Sequence, residues 1–196
     1  MATIKIGVAG PVGSGKTSII ETLTNLLKTN YSIGIVTNDI YTMEDANYLK
    51  GKLDIGSERI IGVETGGCPH TAIRDDISMN QKACEALQKE FPLDILFVES
   101  GGDNLSATFS YELIDYYMYV IDVAQGGDIP RKKGAGLLFS DLLVVNKTDL
   151  APYVGVDMAQ MHTDVSENRK NKPALFLSNK EPESFQKLVM WIEALM

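Results

Sequence analysis

The run Thr3-Ile4-Lys5-Ile6-Gly7-Val8-Ala9, followed by Gly10-Pro11-Val12-Gly13-Ser14-Gly15-Lys16-Thr17-Ser18, decides how this chain folds. Its first part reads as a strand, Thr3–Ala9, and the apolar spacing beyond it predicts a helix over Lys16–Lys28. A glycine-rich segment joining a strand to a helix, with Gly10-x-x-x-x-Gly15-Lys16-Thr17 spacing, is a phosphate-binding loop. The glycines let backbone N–H groups turn inward around phosphate oxygens. The helix that follows aims its N-terminal dipole at the same anion. Lys16 is placed to reach β- and γ-phosphates, and the Thr17 hydroxyl to coordinate Mg²⁺. The plainer alternative, a glycine-rich turn that binds nothing, leaves the full spacing at a strand-to-helix junction unexplained.

Outward from this loop, short apolar runs alternate with longer stretches of helical period. The further strands expected are Ser32–Thr37, Ile60–Glu64, Ile95–Glu99, Tyr117–Asp122, Leu142–Asn146 and Ala174–Leu177. Several are continuous Val/Ile/Leu/Phe runs, as strands covered on both faces should be. Helices are expected over Thr71–Lys89, Asp157–Lys170 and Glu183–Leu195, with Phe185, Leu188, Val189 and Ile192 on one face of the last. The alternation predicts an α/β fold: one domain over residues 1–196, a mostly parallel sheet of about seven strands, helices on both faces. Ligands of such sheets bind beyond the C-terminal strand ends, which is where every motif of this sequence falls.

Asn146-Lys147-Thr148-Asp149 ends the strand Leu142–Asn146 and resembles the base-reading NKxD element of GTPases. A carboxylate at Asp149 can accept hydrogen bonds from guanine N1–H and the 2-amino group. Adenine lacks that donor pair and would leave a buried charge unsatisfied. Lys147 would lie along the purine face with its aliphatic stem, and Asn146 would tie the loop together. A polar strand-to-loop turn is the plainer reading, since Asn and Asp favour turns anyway. Ser178-Asn179-Lys180, after the last strand, is a candidate contact to the base edge.

The strand ending at Glu99 runs into Ser100-Gly101-Gly102. In phosphate-loop enzymes an acid at this point holds Mg²⁺ through its water shell. Gly102 is placed to sense a γ-phosphate through its N–H. A second acidic site, Asp39 with Glu44, follows the strand ending at Thr37. Because Mg²⁺ takes few protein ligands, Thr17 and Asp39 are expected nearest to it, with Glu99 and Glu44 further out. Glu44-Asp45 can equally be an ordinary acidic helix start. No glutamine placed to position water and no arginine finger is evident, so intrinsic hydrolysis is expected to be slow until a partner completes the site.

Thr65-Gly66-Gly67-Cys68-Pro69-His70 holds one of two cysteines and one of two histidines. A thiolate and an imidazole suit Zn²⁺ or Ni²⁺, and the proline stiffens the turn between them. Two ligands are too few for a tight transition-metal site, but a two-fold dimer would bring four together. A small buried cysteine beside a surface histidine is the plainer alternative.

Composition narrows the function further. Hydrophobic residues make up 44% and charged residues 22%, a globular balance. A net charge of −8 argues against nucleic-acid and anionic-membrane partners, despite the short basic run Arg131-Lys132-Lys133. So few thiols, and no apolar leader or span, lead to the expectation of a cytoplasmic protein.

Taken together, Gly10–Thr17, Asn38 to Ala46, Glu64 to Asp76, Glu99 to Leu105 and Asn146–Asp149 resemble the UreG family of urease accessory GTPases. The likeness spans nearly the whole chain, and Glu64-Thr-Gly-Gly-Cys68-Pro-His70 is its most specific part. It also extends to the wider nickel-handling and cobalamin-chaperone GTPases. The resemblance implies a nickel chaperone that binds GTP or GDP with Mg²⁺ and dimerises with GTP and Ni²⁺. Ni²⁺ would be held by Cys68 and His70 of both copies, with Zn²⁺ possible at the same ligands. The partners implied are other urease accessory proteins and apo-urease, with GTP hydrolysis driving metal release. With histidines only at 70 and 162, a histidine-rich storage tail is not expected. Three other readings compete: a hydrogenase-maturation nickel GTPase, a phosphate-loop small-molecule kinase and a non-catalytic nucleotide-gated scaffold. The first usually carries a direct Cys-His metal loop, and the second would not need Asp149 or the Cys-Pro-His turn.

Overall fold

In the computed structural model, residues 2–39, 42–67, 69–102, 105–170, 172–178 and 180–196 are described. The chain runs β1 (Ile4–Ala9), α1 (Lys16–Leu27), β2 (Ile33–Asp39), α2 (Glu44–Lys52), β3 (Ile60–Glu64), α3 (Pro69–Arg74), α4 (Ser78–Glu90) and β4 (Ile95–Glu99). It continues through β5 (Tyr116–Asp122), α5 (Ile129–Lys132), α6 (Ala135–Phe139), β6 (Leu142–Asn146), α7 (Ala151–Val154), α8 (Met158–Arg169), β7 (Ala174–Phe176) and α9 (Glu183–Glu193). Among the described residues the strands form a seven-stranded parallel sheet in the order β3-β2-β4-β1-β5-β6-β7.

Alternation along each strand divides the core into two layers. Ile6 and Val8 of β1, with Ile95 and Phe97 of β4, pack beneath Ile19, Ile20 and Leu23 of α1 and Leu188 and Ile192 of α9. Ala9, Leu96 and Val98 face the opposite layer, under Ile73 of α3, Cys84 and Leu87 of α4 and Val165 of α8. Helices thus cover both faces, and at about 25 cal/mol per Å² of apolar area the two layers supply most of the driving force for folding.

The sheet order reverses around β1: the chain leaves it for β2 on one side and later returns to β5 on the other. A crevice opens at such a switch point beyond the carboxyl ends of the strands. The phosphate loop lies there because β1 ends there.

One expected element differs, the helix start offered as an alternative at Glu44 is present, and one buried residue carries no sequence signal. The segment expected as one helix over Thr71–Lys89 is two, α3 and α4. Asp75 N and Asp76 N both donate to Thr71 O, at 2.9 and 2.8 Å, which ends α3, and Asp76 Oδ1 accepts from Ser78 N to begin α4. The acidic stretch from Glu44 opens a real helix, α2, with Glu44 and Asp45 in its first turn and Lys50 and Lys52 in its last, matching the dipole at both ends. Finally, Arg169 at the end of α8 is 3% exposed and donates to the carbonyls of Leu137, Ser140, Asp141 and Pro173. Burial pushes its pKa down to about 10, and no pattern in the sequence marks it as a latch.

Candidate nucleotide and metal site

Gly10, Gly13 and Gly15 all take positive φ, and Gly15, at φ +95°, caps α1. A Cβ at Gly15 would stand 2.4 Å from Asn146 Nδ2, so the close approach of the two loops requires glycine. The Lys16 side chain is 7% exposed and its ammonium donates to Gly10 O at 3.0 Å and Pro11 O at 3.2 Å. It therefore sits in the concave face of the loop.

A cleft of about 460 Å³ opens beside it, lined by Val12, Gly13, Gly15, Lys16, Thr17 and Ser18 on one wall. The other wall is Asn38, Asp39, Asp45, Tyr48, Glu99, Gly101 and Gly102. Gly102 packs so tightly on Val12 that a Cβ would lie 2.0 Å from Val12 Cγ2. The strand ends bring the acids to this wall: the parallel register sets Glu99 level with Val8 on one side and Thr37 on the other.

Thr17 Oγ1 donates to Glu99 Oε1 at 2.6 Å and lies 3.2 Å from Asp45 Oδ1. Glu99 is 1% exposed, and its Oε2 has no hydrogen-bond partner among the described residues. Burial pushes its pKa up to about 7; the charge of Lys16 opposes the rise, and those of Asp45 and Asp39 add to it. A carboxylate so placed suits the charge of a cation in the cleft. Asp39 also lines the cleft; its Oδ2 accepts from Thr42 and its backbone O from Thr65 N at 2.9 Å. Glu44, expected in the outer part of the metal site, is exposed in the first turn of α2 and is not among the residues lining the cleft; its neighbour Asp45 is. Helical geometry explains the exchange, because consecutive residues point about 100° apart.

The residues expected to read guanine lie beyond this cleft and are tied back to the phosphate loop. Asn146 Nδ2 donates to Ser14 O at 3.0 Å, and Lys147 Nζ donates to Gly13 O. Lys147 adopts φ +58° and its ammonium pairs at 3.2 Å with Asp122, itself buried at the end of β5. Ser178 Oγ donates to Asp149 Oδ1 at 3.2 Å, which orients that carboxylate. Asn179 lies outside the described residues.

Asp122 is missed by sequence reasoning, although an acid ending an apolar strand is the signal that marks Glu99. It accepts from Ala124 N at 2.7 Å as well as from Lys147, and so fixes the lysine's direction. Asn38 and Asn80 are missed too. Both are buried; Asn38 Nδ2 donates to Asn80 Oδ1 and Asn80 Nδ2 to Asn38 Oδ1, each at 2.8 Å. They are separated by 42 positions, and nothing local in the sequence announces the pairing.

For the metal turn, Cys68 lies outside the described residues. His70 is half-buried in the first turn of α3, one strand end away from Asp39 through the pairing of Asp39 with Glu64. Among the described residues no three His, Cys, Asp or Glu side chains cluster closely enough to hold a metal ion. No helix among them is long and apolar enough to cross a membrane.

With this geometry in place, comparison with known proteins is informative. Residues 4–176 match the family described as CobW/HypB/UreG, nucleotide-binding domain. The chain is 76% identical over 194 residues to the urease accessory protein UreG of Aliarcobacter butzleri (strain RM4018), covering 99% of this chain and 100% of that one. It is 56% identical to the UreG of Lysinibacillus sphaericus (strain C3-41), over 98% of this chain and 93% of that one. The crystal structure of HypB from Helicobacter pylori in complex with nickel superposes with a TM-score of 0.82 at 22% identity, covering 98% of this chain and 86% of that one, which establishes a shared fold. By sequence over nearly its full length, this chain belongs to the CobW/HypB/UreG family of nucleotide-binding domains.

Proposed function

We propose that this chain is a GTP-dependent nickel chaperone that dimerises with GTP and Ni²⁺ and delivers nickel to apo-urease. The observation that carries the reading is the joining of two motifs: the Asn146-Lys147-Thr148-Asp149 segment is hydrogen-bonded through Asn146 and Lys147 to the backbone of the phosphate loop. One contiguous surface can therefore hold a purine base and its triphosphate. The relatives named urease accessory protein UreG supply the choice of urease, and the thiol and imidazole of Cys68 and His70 the choice of nickel.

In this reading GTP lays its phosphates against Gly10–Thr17, with Lys16 exchanging the carbonyls of Gly10 and Pro11 for phosphate oxygens. Gly102 N–H meets the γ-phosphate, and Asp149, Lys147 and Ser178 read guanine. Among the described residues the acids do not cluster as a closed metal cage, but Mg²⁺ takes few protein ligands and keeps its waters, and the residues present fit it. Thr17 Oγ1, Asp39, Asp45 and Glu99 edge one cleft, and Glu99 Oε2, without a partner among the described residues, offers a buried acceptor to that water shell. Bound there, Mg²⁺ would neutralise charge developing on the β- and γ-phosphates. Hydrolysis is slow until partner proteins complete the site.

Ni²⁺ is cargo, held by Cys68 and His70 of two copies; a sulfur/nitrogen square plane suits Ni²⁺, and a tetrahedron of the same ligands would hold Zn²⁺. Loss of the γ-phosphate releases the segments around Asp39 and Glu64 to His70, and with them the metal. The partners are other urease accessory proteins and apo-urease in the cytoplasm, with no nucleic acid or membrane.

Reconstitution tests the whole reading. Apo-urease, its other accessory proteins, Ni²⁺ and this chain should yield ammonia release with GTP and none with GTPγS. Equal activation with both nucleotides would show that hydrolysis does not time delivery.

A further inference from the structure

Asn38 ends one position before Asp39 in β2 and lines the nucleotide cleft. Asn80 lies in the first turn of α4, fully buried. Their side-chain amides form a closed pair, each donating to the other's oxygen at 2.8 Å. Each amide has a second hydrogen, and both are used. Asn38 Nδ2 also donates to Glu99 O at 2.9 Å, and Asn80 Nδ2 to Ala72 O at 2.9 Å. The pair therefore spans from the end of β4, at the cleft, to α3, whose Ala72 lies two residues beyond His70.

A buried amide pair with every donor used fits one relative placement of the four elements. Two leucines of similar shape would fill the same space without fixing that placement, so the pair contributes specificity rather than bulk. If Asn38 or the Glu99 carbonyl shifts when the cleft is ligated, the pair must break or Ala72 must follow. Cores and buried networks of this kind move between discrete arrangements rather than stretching.

We propose that Asn80, paired with Asn38, is the positioning residue that makes the placement of α3, and with it His70, depend on the nucleotide in the cleft. The inference rests on the nickel-chaperone reading above and adds the route by which nucleotide and metal sense each other. A second, backbone link joins Thr65 N to Asp39 O at the near end of the turn, and Ser110 N holds Ile73 O of α3, but among these contacts the amide pair is the one that joins α3 to the cleft wall.

The test is a linkage measurement. Ni²⁺ affinity is read by competition with a chromophoric chelator, with GTPγS or with GDP bound, in wild type, Asn80→Leu and the double variant Asn38→Leu/Asn80→Leu. GTPγS affinity is read with and without Ni²⁺, which must give the same ratio by reciprocity. Wild type should show coupling of about 5- to 150-fold, and both variants a ratio near 1, with the GTPγS affinity of Asn80→Leu itself changed less than about threefold. Restoration of coupling by Asn80→Gln but not Asn80→Leu would tie it to the amide. A folded Asn80→Leu variant that keeps the wild-type ratio overturns the inference and leaves the chaperone reading standing. A wild-type ratio of 1 removes that reading, and the inference with it. Should the variants fail to fold, side-chain amide NMR of the wild type decides: the Asn38 and Asn80 NH₂ signals must shift between GDP and GTPγS states, and unchanged signals overturn the proposal.

Discussion

The hydroxyl of Thr17 and the carboxylate of Glu99 stand 2.6 Å apart, while Glu99 Oε2 has no partner among the described residues. Burial pushes the Glu99 pKa up to about 7 from an ordinary 4.5. Between those values the folded state holds more protons than the unfolded one, so its contribution to stability is present below about pH 4.5 and is lost as pH rises toward 7. The full swing is about 3 kcal/mol. In EDTA, chemical denaturation of Glu99→Gln should give a stability that falls less than wild type from pH 5.5 to 8. Parallel curves for the two proteins would mean that Glu99 ionises freely in the folded state.

Gly15 makes a prediction of opposite character, about geometry. Its φ is +95°, and any Cβ there would stand 2.4 Å from Asn146 Nδ2, which leaves no room for a side chain. Gly15→Ala should cost about 1–3 kcal/mol through backbone strain and displacement of Asn146 from Ser14 O. Thermal unfolding should show the loss, and GTPγS affinity should fall with it. Unchanged stability and affinity would mean that the two loops are independent.

The division between what the sequence announces and what it conceals follows the range of the interactions. β3, β4 and β6 occupy the expected residues because continuous apolar runs bounded by turn residues are local signals. The phosphate loop and Asn146–Asp149 are legible for the same reason: each needs its residues at fixed offsets. The break between α3 and α4 is hidden, because Asp76 accepts from Ser78 N just ahead of α4 within a stretch that otherwise keeps a helical period. Asp45 displaces Glu44 at the cleft because facing is set by the rotation of α2, one residue's error being about a third of a turn. Asp122, Asn38 and Asn80 act through partners 25 to 42 positions away, and only the assembled sheet brings them together.

Asp149 gives a specificity prediction. In the proposed reading its carboxylate accepts from guanine N1–H and the 2-amino group, and Ser178 holds one of its oxygens in place. Asn at this position would present an N–H to that amino group, leaving donor facing donor. Xanthine carries an oxygen there instead. Asp149→Asn should weaken GTPγS binding about 10²-fold and strengthen binding of the xanthosine analogue relative to wild type. Fluorescent-nucleotide titration reads both, and an unaltered preference for guanine would place base recognition elsewhere.

Lys16 should couple nucleotide to assembly. Its ammonium is buried against the loop carbonyls, and in the proposed reading a truncated side chain would leave the β- and γ-phosphates without their cation. Lys16→Ala should abolish dimerisation in GTP and Ni²⁺, read by sedimentation. A variant that still dimerises under those conditions would break the link between triphosphate and assembly.

The metal turn should separate from the nucleotide site under mutation. Cys68 and His70 follow β3 in sequence, whereas the phosphate loop follows β1, with β2 and β4 between those strands in the sheet. Removing one ligand from each copy halves a four-ligand site and leaves a pair of donors that hold Ni²⁺ weakly. Cys68→Ala and His70→Ala should each eliminate stoichiometric Ni²⁺ binding, one metal per two chains, while GTPγS affinity without nickel changes less than about twofold. Equilibrium dialysis with GTPγS present measures the first, and nucleotide titration in EDTA the second. Wild-type nickel affinity in both variants would move the cargo site away from the Cys-Pro-His turn. A parallel loss of nucleotide affinity would show instead that the turn buttresses the cleft, since no side chain of the turn is needed to touch GTP.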